Sequence, residues 1–145
     1  MKHMDYIYLQ ENYYKDKKEM FNFLIDLLKN RLSKKSIDGY SLLDLGCSRG
    51  ELLYHIKNDL KNYISLVGLD YSQHLIDSAK SQDFLNDVHF VVGDAENFNL
   101  SQQFDFIVCS GLTGYFDSLK NLFSNIEVHL AEGGNAFVFH IFNKL

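Results

Sequence analysis

Three aspartates stand at the ends of short apolar runs in this 145-residue chain. Asp44 follows "SLL", Asp70 follows "YISLVGL" and Asp94 follows "VHFVVG", and a glycine turn, Gly46-x-x-x-Gly50, comes just after the first. Ionised carboxylates accept hydrogen bonds and attract cations. These residue types therefore predict a site for a polar ligand that carries positive charge.

The spacing of the glycines and the nearby charge distinguish two classes of nucleotide ligand. A dinucleotide site uses a G-x-G-x-x-G turn, whose backbone N–H groups face a pyrophosphate. Here the glycines are spaced differently, and Asp44 would repel a phosphate. Asp70 lies 20 residues beyond Gly50, near the position expected for an acid that binds a ribose. The sequence thus favours a phosphate-free nucleoside with a cationic portion, and S-adenosylmethionine (SAM) has that composition.

Five apolar runs would form the strands that position these side chains. They are short, continuous and rich in Val, Ile and Phe, as in parallel strands that are buried on both faces. They cover residues 40–46, 63–70, 88–94, 104–111 and 135–142. Helical patterns separate most of them, so we predict an α/β fold: an open, doubly wound, mainly parallel sheet with an N-terminal helix. Ligands of such folds bind outside the carboxyl ends of the strands, where the three aspartates would meet.

Apolar residues at intervals of three and four predict the helices. An N-terminal helix is expected over residues 12–33 and a second over 51–60. Ser72 can cap a third helix, and Asp117 can cap a fourth that would stop at Gly133–Gly134. The apolar stripe of the N-terminal helix comprises Met20, Phe23, Leu24, Leu27, Leu28 and Leu32. We expect this stripe to join the core.

Five segments, in the right order and spacing, resemble the motifs of the class I SAM-dependent methyltransferases. "LLDLGCSRG" is similar to the D/E-x-G-x-G-x-G motif, with Ser48 in place of the middle glycine. "VGLDYS" resembles the motif of the second strand, "VVGDAENF" that of the third and "FDFIVCSGLTGYF" that of the fourth. "HLAEGGNAFVF" resembles the helix, glycine turn and fifth strand. The resemblance runs from about residue 40 to 142 and implies a Rossmann-like methyltransferase that uses SAM.

The resemblance implies a role for four residues of the first motif at the methionine end of SAM. Gly46, Cys47 and Gly50 would pass their backbone close to the cofactor. Asp44 would hold the ammonium group, directly or through water.

The second and third motifs imply the contacts to adenosine. Asp70 would bind the ribose hydroxyls, and Tyr71 would flank the adenosine. Asp94 would accept a hydrogen bond from the adenine amino group, and Ala95 would donate its backbone N–H.

Few residues of the acceptor side can be predicted from the sequence. Methyl transfer depends mainly on alignment of the acceptor, and it needs a base only if the acceptor must first lose a proton. By the resemblance, Ser110 and Gly111 would line the path to the acceptor, and His140 could face the acceptor as a base. The fourth strand lacks the Asn/Asp-Pro-Pro-Tyr and Pro-Cys elements of enzymes that methylate amide or base nitrogens and cytosine carbon. No carboxylate ends that strand, so no metal site is expected. The predicted acceptor is an unidentified small molecule, and a sugar, a lipid precursor and a protein side chain stay open as alternatives.

The chain divides into two predicted parts. Residues 1–39 form an N-terminal helical segment in which Tyr13 and Tyr14 could belong to a lid over the cofactor. Residues 40–145 form the SAM-binding core, which is expected to be truncated after the fifth strand, since the family usually continues with further strands. An apolar edge at residues 135–142 would then pair with another strand, which predicts a possible homodimer.

Structural roles compete with each functional one. A strand-end aspartate can cap a turn, and Cys47 and Cys109 can be small packed residues. His55 is expected at the surface or its boundary, and His140 can serve structure alone. Two other functions stay open: a non-catalytic subunit with this fold, and an NAD(P)-linked oxidoreductase, against which Asp44 and the glycine spacing argue.

Composition limits the remaining classes of partner. The net charge of −5 disfavours a broad nucleic-acid surface, which needs clustered Lys and Arg. No segment approaches the ~18 consecutive apolar residues of a membrane helix, and the N-terminus has no secretory signal. Two cysteines without a metal pattern fit a reducing compartment. A cytoplasmic location is therefore expected.

Overall fold

Five parallel strands form one sheet in the computed structural model, which describes residues 3–10, 12–32, 39–60 and 64–140. The strands are β1 (Tyr40–Leu45), β2 (Ile64–Asp70), β3 (His89–Val92), β4 (Phe104–Ser110) and β5 (Leu130–Phe139). Their order across the sheet is β3-β2-β1-β4-β5, and every neighbouring pair is parallel. The helices are α1 (His3–Gln10), α2 (Glu19–Leu32), α3 (Glu51–Leu60), α4 (Gln73–Lys80) and α5 (Lys120–His129).

Helices cover both faces of the sheet. The neighbouring residues Leu42 and Leu43 of β1 point to opposite faces, and both are fully buried. Leu42 belongs to a cluster with buried side chains of α2, α3 and α4, and Leu43 belongs to one with those of α5. This confirms the doubly wound α/β fold. None of the helices within the described ranges is long and apolar enough to cross a membrane.

The N-terminal region differs from the single helix predicted over residues 12–33. Helix α1 ends at Gln10, and a polar turn precedes α2, in which the amides of Lys15 and Asp16 donate to the carbonyl of Asn12. Residue 33 lies outside the described residues. The predicted end of the helix at residue 33 therefore lies outside the described residues.

The buried face of α2 is also shifted from the predicted stripe. Phe21 and Ile25 are buried beside Leu24 and Leu28, whereas Phe23 is 58% exposed. In a helix with this many apolar residues, spacings of three and four residues fit two neighbouring faces. The sequence pattern alone therefore predicts a buried face that includes Phe23, whereas the structure buries the neighbouring face.

The predicted boundary between the fourth helix and β5 is wrong. Asp117 does not cap α5, which begins after Leu119 and ends at His129. The chain enters β5 at once, and the glycine pair lies inside that strand. The register there jumps, because Phe104 faces Leu130 while Phe106 faces Asn135. The glycines therefore form a bulge and not a helix stop. Of the predicted strand 135–142, residues 141 and 142 lie outside the described residues.

Other sequence signals are confirmed. Ser72 caps α4 with its hydroxyl oxygen, which accepts from the backbone N–H of Leu75 at 3.4 Å. The helix predicted over 51–60 matches α3. Strand β3 ends at Val92, however, so Asp94 lies two residues past the strand in the loop 93–103.

Candidate functional site

A tight loop after β1, residues 46–50, forms the centre of the site and is called the glycine loop here. Its first two backbone N–H groups, from Gly46 and Cys47, donate to the carbonyl of Leu69 in β2 at 2.8 and 3.0 Å. The N–H of Gly50 donates to the carbonyl of Cys47 at 2.8 Å, which closes the turn before α3 begins. The loop is thus fixed against the end of the neighbouring strand.

The glycines of this loop are required by both backbone and space. Gly46 and Gly50 have φ angles of +75° and +81°, in the left-handed region that favours glycine. A Cβ at Gly46 would lie 2.6 Å from the side chain of Leu112, and a Cβ at Gly50 would lie 2.8 Å from Phe90. Ser48, in place of the middle glycine of the motif, has φ of +52°.

Asp70 joins the glycine loop to α4. One of its carboxylate oxygens accepts from the N–H of Ser48 at 2.8 Å, and the other accepts from the N–H of Ser72 at 2.9 Å. A carboxylate has about four lone-pair sites, which is more than these two hydrogen bonds occupy. The structural role and a binding role of Asp70 are therefore compatible.

Asp44, the second-last residue of β1, is only 3% exposed. Burial raises the pKa of its carboxyl group well above the usual range, and the carboxylates of Asp70 and Glu51 raise it further. The pKa of the Cys47 thiol is raised by burial and then by the same three carboxylates. Three carboxyl groups, those of Asp44, Glu51 and Asp70, therefore lie around the glycine loop.

Glu51, which the sequence reasoning missed, is the third acid of this group. It is 5% exposed, and burial raises the pKa of its carboxyl group. Hydrogen bonds from its own backbone N–H and from that of Arg49 oppose this rise, as do the positive charges of Arg49 and Lys18. An acid in the first turn of a helix is common because it stabilises the helix dipole. Its position therefore gave no distinct functional signal.

The residues expected on the adenosine side lie at the ends of β2 and β3. Tyr71 is 65% exposed, and Ala95 is buried. Asp94 is exposed, and its carboxylate accepts from the N–H of Glu96 at 2.9 Å, so it caps its own turn. The three side chains thus differ in burial, although all lie at the same end of the sheet.

The far side of the site lies at the ends of β4 and β5. Ser110 is half-buried, and Gly111 donates its N–H to the carbonyl of Phe139 at 3.3 Å. His140 follows β5, is exposed, and forms a hydrogen bond through Nδ1 with the hydroxyl of Thr113. The sequence reasoning did not identify Thr113, since a Thr after a strand carries no special signal.

The cysteines of this region are buried. Burial, followed by the charge of Asp44, raises the pKa of the Cys109 thiol to about 12. Since a thiolate is the reactive form, both thiols are unsuited to nucleophilic attack at neutral pH. Among the described residues, no group of His, Cys, Asp and Glu side chains could hold a metal ion.

The segment between α1 and α2 packs on the glycine loop and α3. The hydroxyl of Tyr14 donates to the carbonyl of Arg49, and burial raises the pKa of that hydroxyl. The Nε2 atom of His55 lies 2.6 Å from the carbonyl of Tyr13. His55 is buried, so the prediction of a surface or boundary position is wrong: this segment covers it.

Arg49 makes further contacts between the glycine loop and its surroundings. Its Nη1 donates to the carbonyl of Leu9 in α1 at 3.3 Å, and its Nε donates to the hydroxyl of Ser78 in α4 at 3.1 Å. The loop, α1 and α4 are thus linked through one guanidinium group.

Curated relatives are similar to most of this chain, but the chain spans under half of their length. It is 26% identical over 124 residues to a malonyl-[acyl-carrier protein] O-methyltransferase of Bacillus anthracis, covering 86% of this chain and 45% of that protein. It is 29% identical over 119 residues to a dTDP-4-amino-2,3,4,6-tetradeoxy-D-glucose N,N-dimethyltransferase of Saccharopolyspora spinosa, covering 79% and 44%.

Solved structures share the fold. The structure of YjhP from E. coli has a TM-score of 0.66 and 24% identity, covering 84% of this chain and 48% of that one. The plantazolicin methyltransferase BpumL, solved with SAH and a monoazolic desmethylPZN analogue, has a TM-score of 0.69 and 22% identity, covering 86% of this chain and 49% of that one. A family model described as a methyltransferase domain matches residues 17–144. Since this match covers most of the sequence, the chain belongs to the methyltransferase-domain family.

Proposed function

We propose that this chain is the cofactor-binding part of a SAM-dependent methyltransferase that acts on a small-molecule acceptor. One observation carries the proposal: the carboxyl groups of Asp44, Asp70 and Glu51 lie together at the glycine loop, and burial of Asp44, followed by the like charges of the other two, raises its pKa. A bound cation would offset this repulsion, whereas a phosphate would add to it. The family and the relatives, which include O- and N-methyltransferases, agree with this function.

The residues present fit SAM in charge and in shape. Asp44 and Glu51 would attract its ammonium group, and the glycine loop has no side chain at Gly46 and Gly50 to obstruct the methionine portion. A second feature supports the fit: the hydroxyl oxygen of Ser48 is buried and has no hydrogen-bond partner within the described part of the chain. A buried polar atom without a partner is costly, and a ligand contact would remove that cost.

The adenosine would lie over the ends of β2 and β3. Asp70 would accept from the ribose hydroxyls, and Tyr71 would flank the adenosine. Asp94 and the backbone N–H of Ala95 would bind the adenine edge. Cys47 would contribute its backbone, because its buried thiol is not available as a base or nucleophile.

Bound SAM would supply an activated methyl group on a sulfonium. The protein's own part in such a reaction is to hold the acceptor in line and to exclude water. Ser110 and Gly111 would line the acceptor's path at the end of β4. The segment between α1 and α2, which contains Tyr13 and Tyr14, would cover the other side of the cofactor site as a lid. In this proposal residues 1–39 form the lid segment and residues 40–145 the SAM-binding core.

The two alternatives gain less support. An NAD(P)-linked oxidoreductase would have to hold a pyrophosphate beside Asp44, Asp70 and Glu51, where Coulomb repulsion is unfavourable. A non-catalytic subunit would share the cofactor site but lack turnover, so a methylation assay on the full-length protein distinguishes it. A cytoplasmic location and the absence of a nucleic-acid partner stay predictions.

A homodimer through β5 is a further part of the proposal. Among the described strands β5 pairs only with β4, and Val138 on it is 38% exposed. An apolar edge strand favours pairing with another strand. Sedimentation velocity of the purified chain is the test: a single monomeric species at 100 µM, roughly the range where weak dimers form, would contradict it.

The test of cofactor binding compares the wild type with Asp44→Asn in a thermal-shift assay with SAM, SAH, NAD and NADP. A ligand at 100 times its Kd stabilises the folded state by about 2.7 kcal/mol. We expect SAM and SAH to raise the wild-type melting temperature and NAD and NADP to have no effect. Stabilisation by NAD alone would reverse the proposal.

Asp44→Asn separates binding from folding, because it should reduce the SAM-induced shift without lowering the melting temperature of the ligand-free protein. Asp44→Asn replaces a buried carboxyl group, whose ionised form is disfavoured in the ligand-free protein, by a neutral amide, so the ligand-free protein should melt at the same or a higher temperature. It should also lose most of the SAM-induced shift. Asp77→Asn, an exposed position on α4, is the matched control and should behave as the wild type in both respects. An unchanged SAM-induced shift in Asp44→Asn would remove the ammonium assignment.

A further inference from the structure

We propose that His129 positions the loop 93–103 so that this loop selects adenine over a purine without the 6-amino group. The inference rests on the proposed SAM-binding function, in which Asp94 and Ala95 of this loop would bind the adenine edge. It assigns a role to a buried histidine outside the proposed cofactor contacts. His129 would act through the loop and would not touch the ligand, so it is a positioning residue.

His129 connects α5 to the loop between β3 and β4. It is the last residue of α5 and is only 4% exposed. Its Nδ1 atom lies 2.8 Å from the carbonyl oxygen of Asn125, one turn earlier in the same helix. Its Nε2 atom accepts a hydrogen bond from the backbone N–H of Leu100 at 3.1 Å. One buried ring therefore joins the two segments.

The partners of the two ring nitrogens determine where the proton of the ring lies. A backbone N–H can only donate, so Nε2, which faces the N–H of Leu100, must carry a lone pair. A carbonyl oxygen can only accept, so Nδ1, which faces the carbonyl of Asn125, must carry the proton. The ring of His129 is therefore neutral, with its proton on Nδ1, and both nitrogens form hydrogen bonds.

The loop is held at two points along its length. At its start, the N–H of Gly93 donates to the carbonyl of Asp70 at 2.9 Å. Further along, the buried ring of Phe98 packs on His129, with the two ring centroids 4.3 Å apart, and the N–H of Leu100 donates to the same histidine. Strand β2 thus fixes one end of the segment that would bind adenine, and His129 fixes the other.

A tight turn lies between these two points. Asp94 accepts from the N–H of Glu96 through its carboxylate at 2.9 Å, and from the N–H of Asn97 through its carbonyl at 3.0 Å. These hydrogen bonds fix the shape of the turn but not its position relative to the sheet. The positions of the Asp94 carboxylate and of the Ala95 N–H therefore depend on the two points that hold the loop.

Loss of the acceptor at residue 129 would displace this loop. The N–H of Leu100, which is half-buried, would lose its acceptor, and a shift of the loop toward water would satisfy it. A binding group must be held within about 0.5 Å of its productive position. A displaced loop would therefore bind the adenine edge less well.

The purine edge provides a readout that is specific to the loop. Adenine has an amino group that donates and an N1 atom that accepts, which the Asp94 carboxylate and the Ala95 N–H would match. Hypoxanthine has a carbonyl oxygen and an N1–H at the same places, so it presents the opposite pattern. Global destabilisation weakens the binding of both bases equally, whereas displacement of the loop weakens only the binding of adenine.

The first experiment measures the tautomer of His129 by ¹⁵N NMR at about pH 8, where an ordinary histidine is neutral. His129→Gln assigns the resonance. We expect the proton on Nδ1 and a lone pair on Nε2. A proton on Nε2 would overturn the inference, because Nε2 could not then accept from Leu100. This measurement uses the wild-type ring and does not depend on the stability of a variant.

The second experiment measures the affinities of the chain for SAH and for S-inosyl-homocysteine by calorimetry. We expect the wild type to prefer SAH by about tenfold or more, the effect of losing a hydrogen bond to a charged group. His129→Leu should weaken SAH binding by about tenfold and change binding of the inosine analogue by less than about twofold. An equal loss for both ligands would show that His129 supports the fold alone and would overturn the inference.

Two further variants complete the comparison. His129→Gln should restore the preference for SAH, because its side-chain carbonyl can accept from the N–H of Leu100. Gln103→Ala is the matched control: it removes another hydrogen bond between the same loop and α5, at 3.3 Å to the carbonyl of Val128, and should keep the wild-type preference. If His129→Leu does not fold by circular dichroism, His129→Met replaces it, because a thioether is only a weak acceptor.

The levels of the proposal fail separately. If the wild type does not bind SAH, the proposed function is wrong. If it binds SAH and the inosine analogue equally, the adenine contacts of Asp94 and Ala95 are wrong, and this inference with them, while cofactor binding stands. If the wild type prefers SAH and His129→Leu keeps that preference, only the role of His129 is wrong.

Discussion

Gly50→Ala should destabilise the protein far more than Gly111→Ala, although both glycines have nearly the same backbone conformation. Their φ angles are +81° and +77°, so an alanine at either position bears the same left-handed penalty, about 1–2 kcal/mol. The space differs. A Cβ at Gly50 would lie 2.8 Å from Cζ of Phe90 and 3.1 Å from Leu85, whereas a Cβ at Gly111 meets nothing within 4 Å.

The difference between the two variants therefore isolates the packing cost. Phe90 is buried in β3, and a Cβ at Gly68 would also lie 2.9 Å from it, so its ring has little room to move. Overpacking of a core costs about 1–3 kcal/mol. We expect Gly111→Ala to lose about 1–2 kcal/mol and Gly50→Ala about 2–5 kcal/mol, the sum of both terms.

Urea denaturation of the two variants, followed by circular dichroism, measures these free energies of unfolding. Phe90→Leu in the Gly50→Ala background shortens the side chain that the new methyl group meets. The double-mutant cycle should therefore give a favourable coupling of about 1 kcal/mol or more. Equal losses in Gly50→Ala and Gly111→Ala, or a coupling near zero, would refute the claim that the ring of Phe90 leaves no room for a side chain at position 50.

Three further predictions concern buried polar groups. The pKa of Asp44 is raised in the folded state, so the folded protein binds this proton more tightly than the unfolded chain does. The free energy of unfolding should therefore fall as the pH rises from about 4 toward the raised pKa. Asp44→Asn should flatten this part of the pH profile. His129→Leu leaves the N–H of Leu100 without its acceptor, now at 3.1 Å, and should cost about 1–3 kcal/mol in thermal denaturation; a loss below 0.5 kcal/mol, about the resolution of such data, would contradict it. Ser48→Gly relieves a positive φ and removes a buried hydroxyl that has no partner among the residues that the structure describes. It should therefore leave stability within about 1 kcal/mol of the wild type while weakening SAM binding measured by calorimetry; unweakened binding would contradict the contact.

The sheet and its order of elements could be predicted because their signals are local. A continuous apolar run followed by an acid or a glycine is visible within eight residues, and Ser72 caps α4 through a contact only three residues away. The glycine loop was identified for the same reason: its conformation depends on its own glycines. Such features are encoded by neighbours in sequence.

Contacts between distant segments could not be predicted. Thr113 and His140 are 27 residues apart, and the carboxylates of Asp44 and Glu51 come together only after β1 and α3 pack. The glycine pair after α5 shows the other limit. Glycine is common both after a helix and in a bulge, so the residue type did not distinguish the two, and the register of β5 against β4 decided it.

Asp70 shows why a structural role does not exclude a functional one. A strand-end aspartate can cap a turn, and it can also bind a ribose. Here the two backbone N–H groups that donate to Asp70 also orient its carboxylate, one oxygen toward Ser48 and the other toward Ser72. A binding group held in this way loses little further freedom when a ligand arrives. Substitution of Asp70 would therefore loosen the glycine loop and remove the proposed ribose contact together, whereas Asp44, whose uncharged form is favoured in the ligand-free protein, can be neutralised without that structural loss.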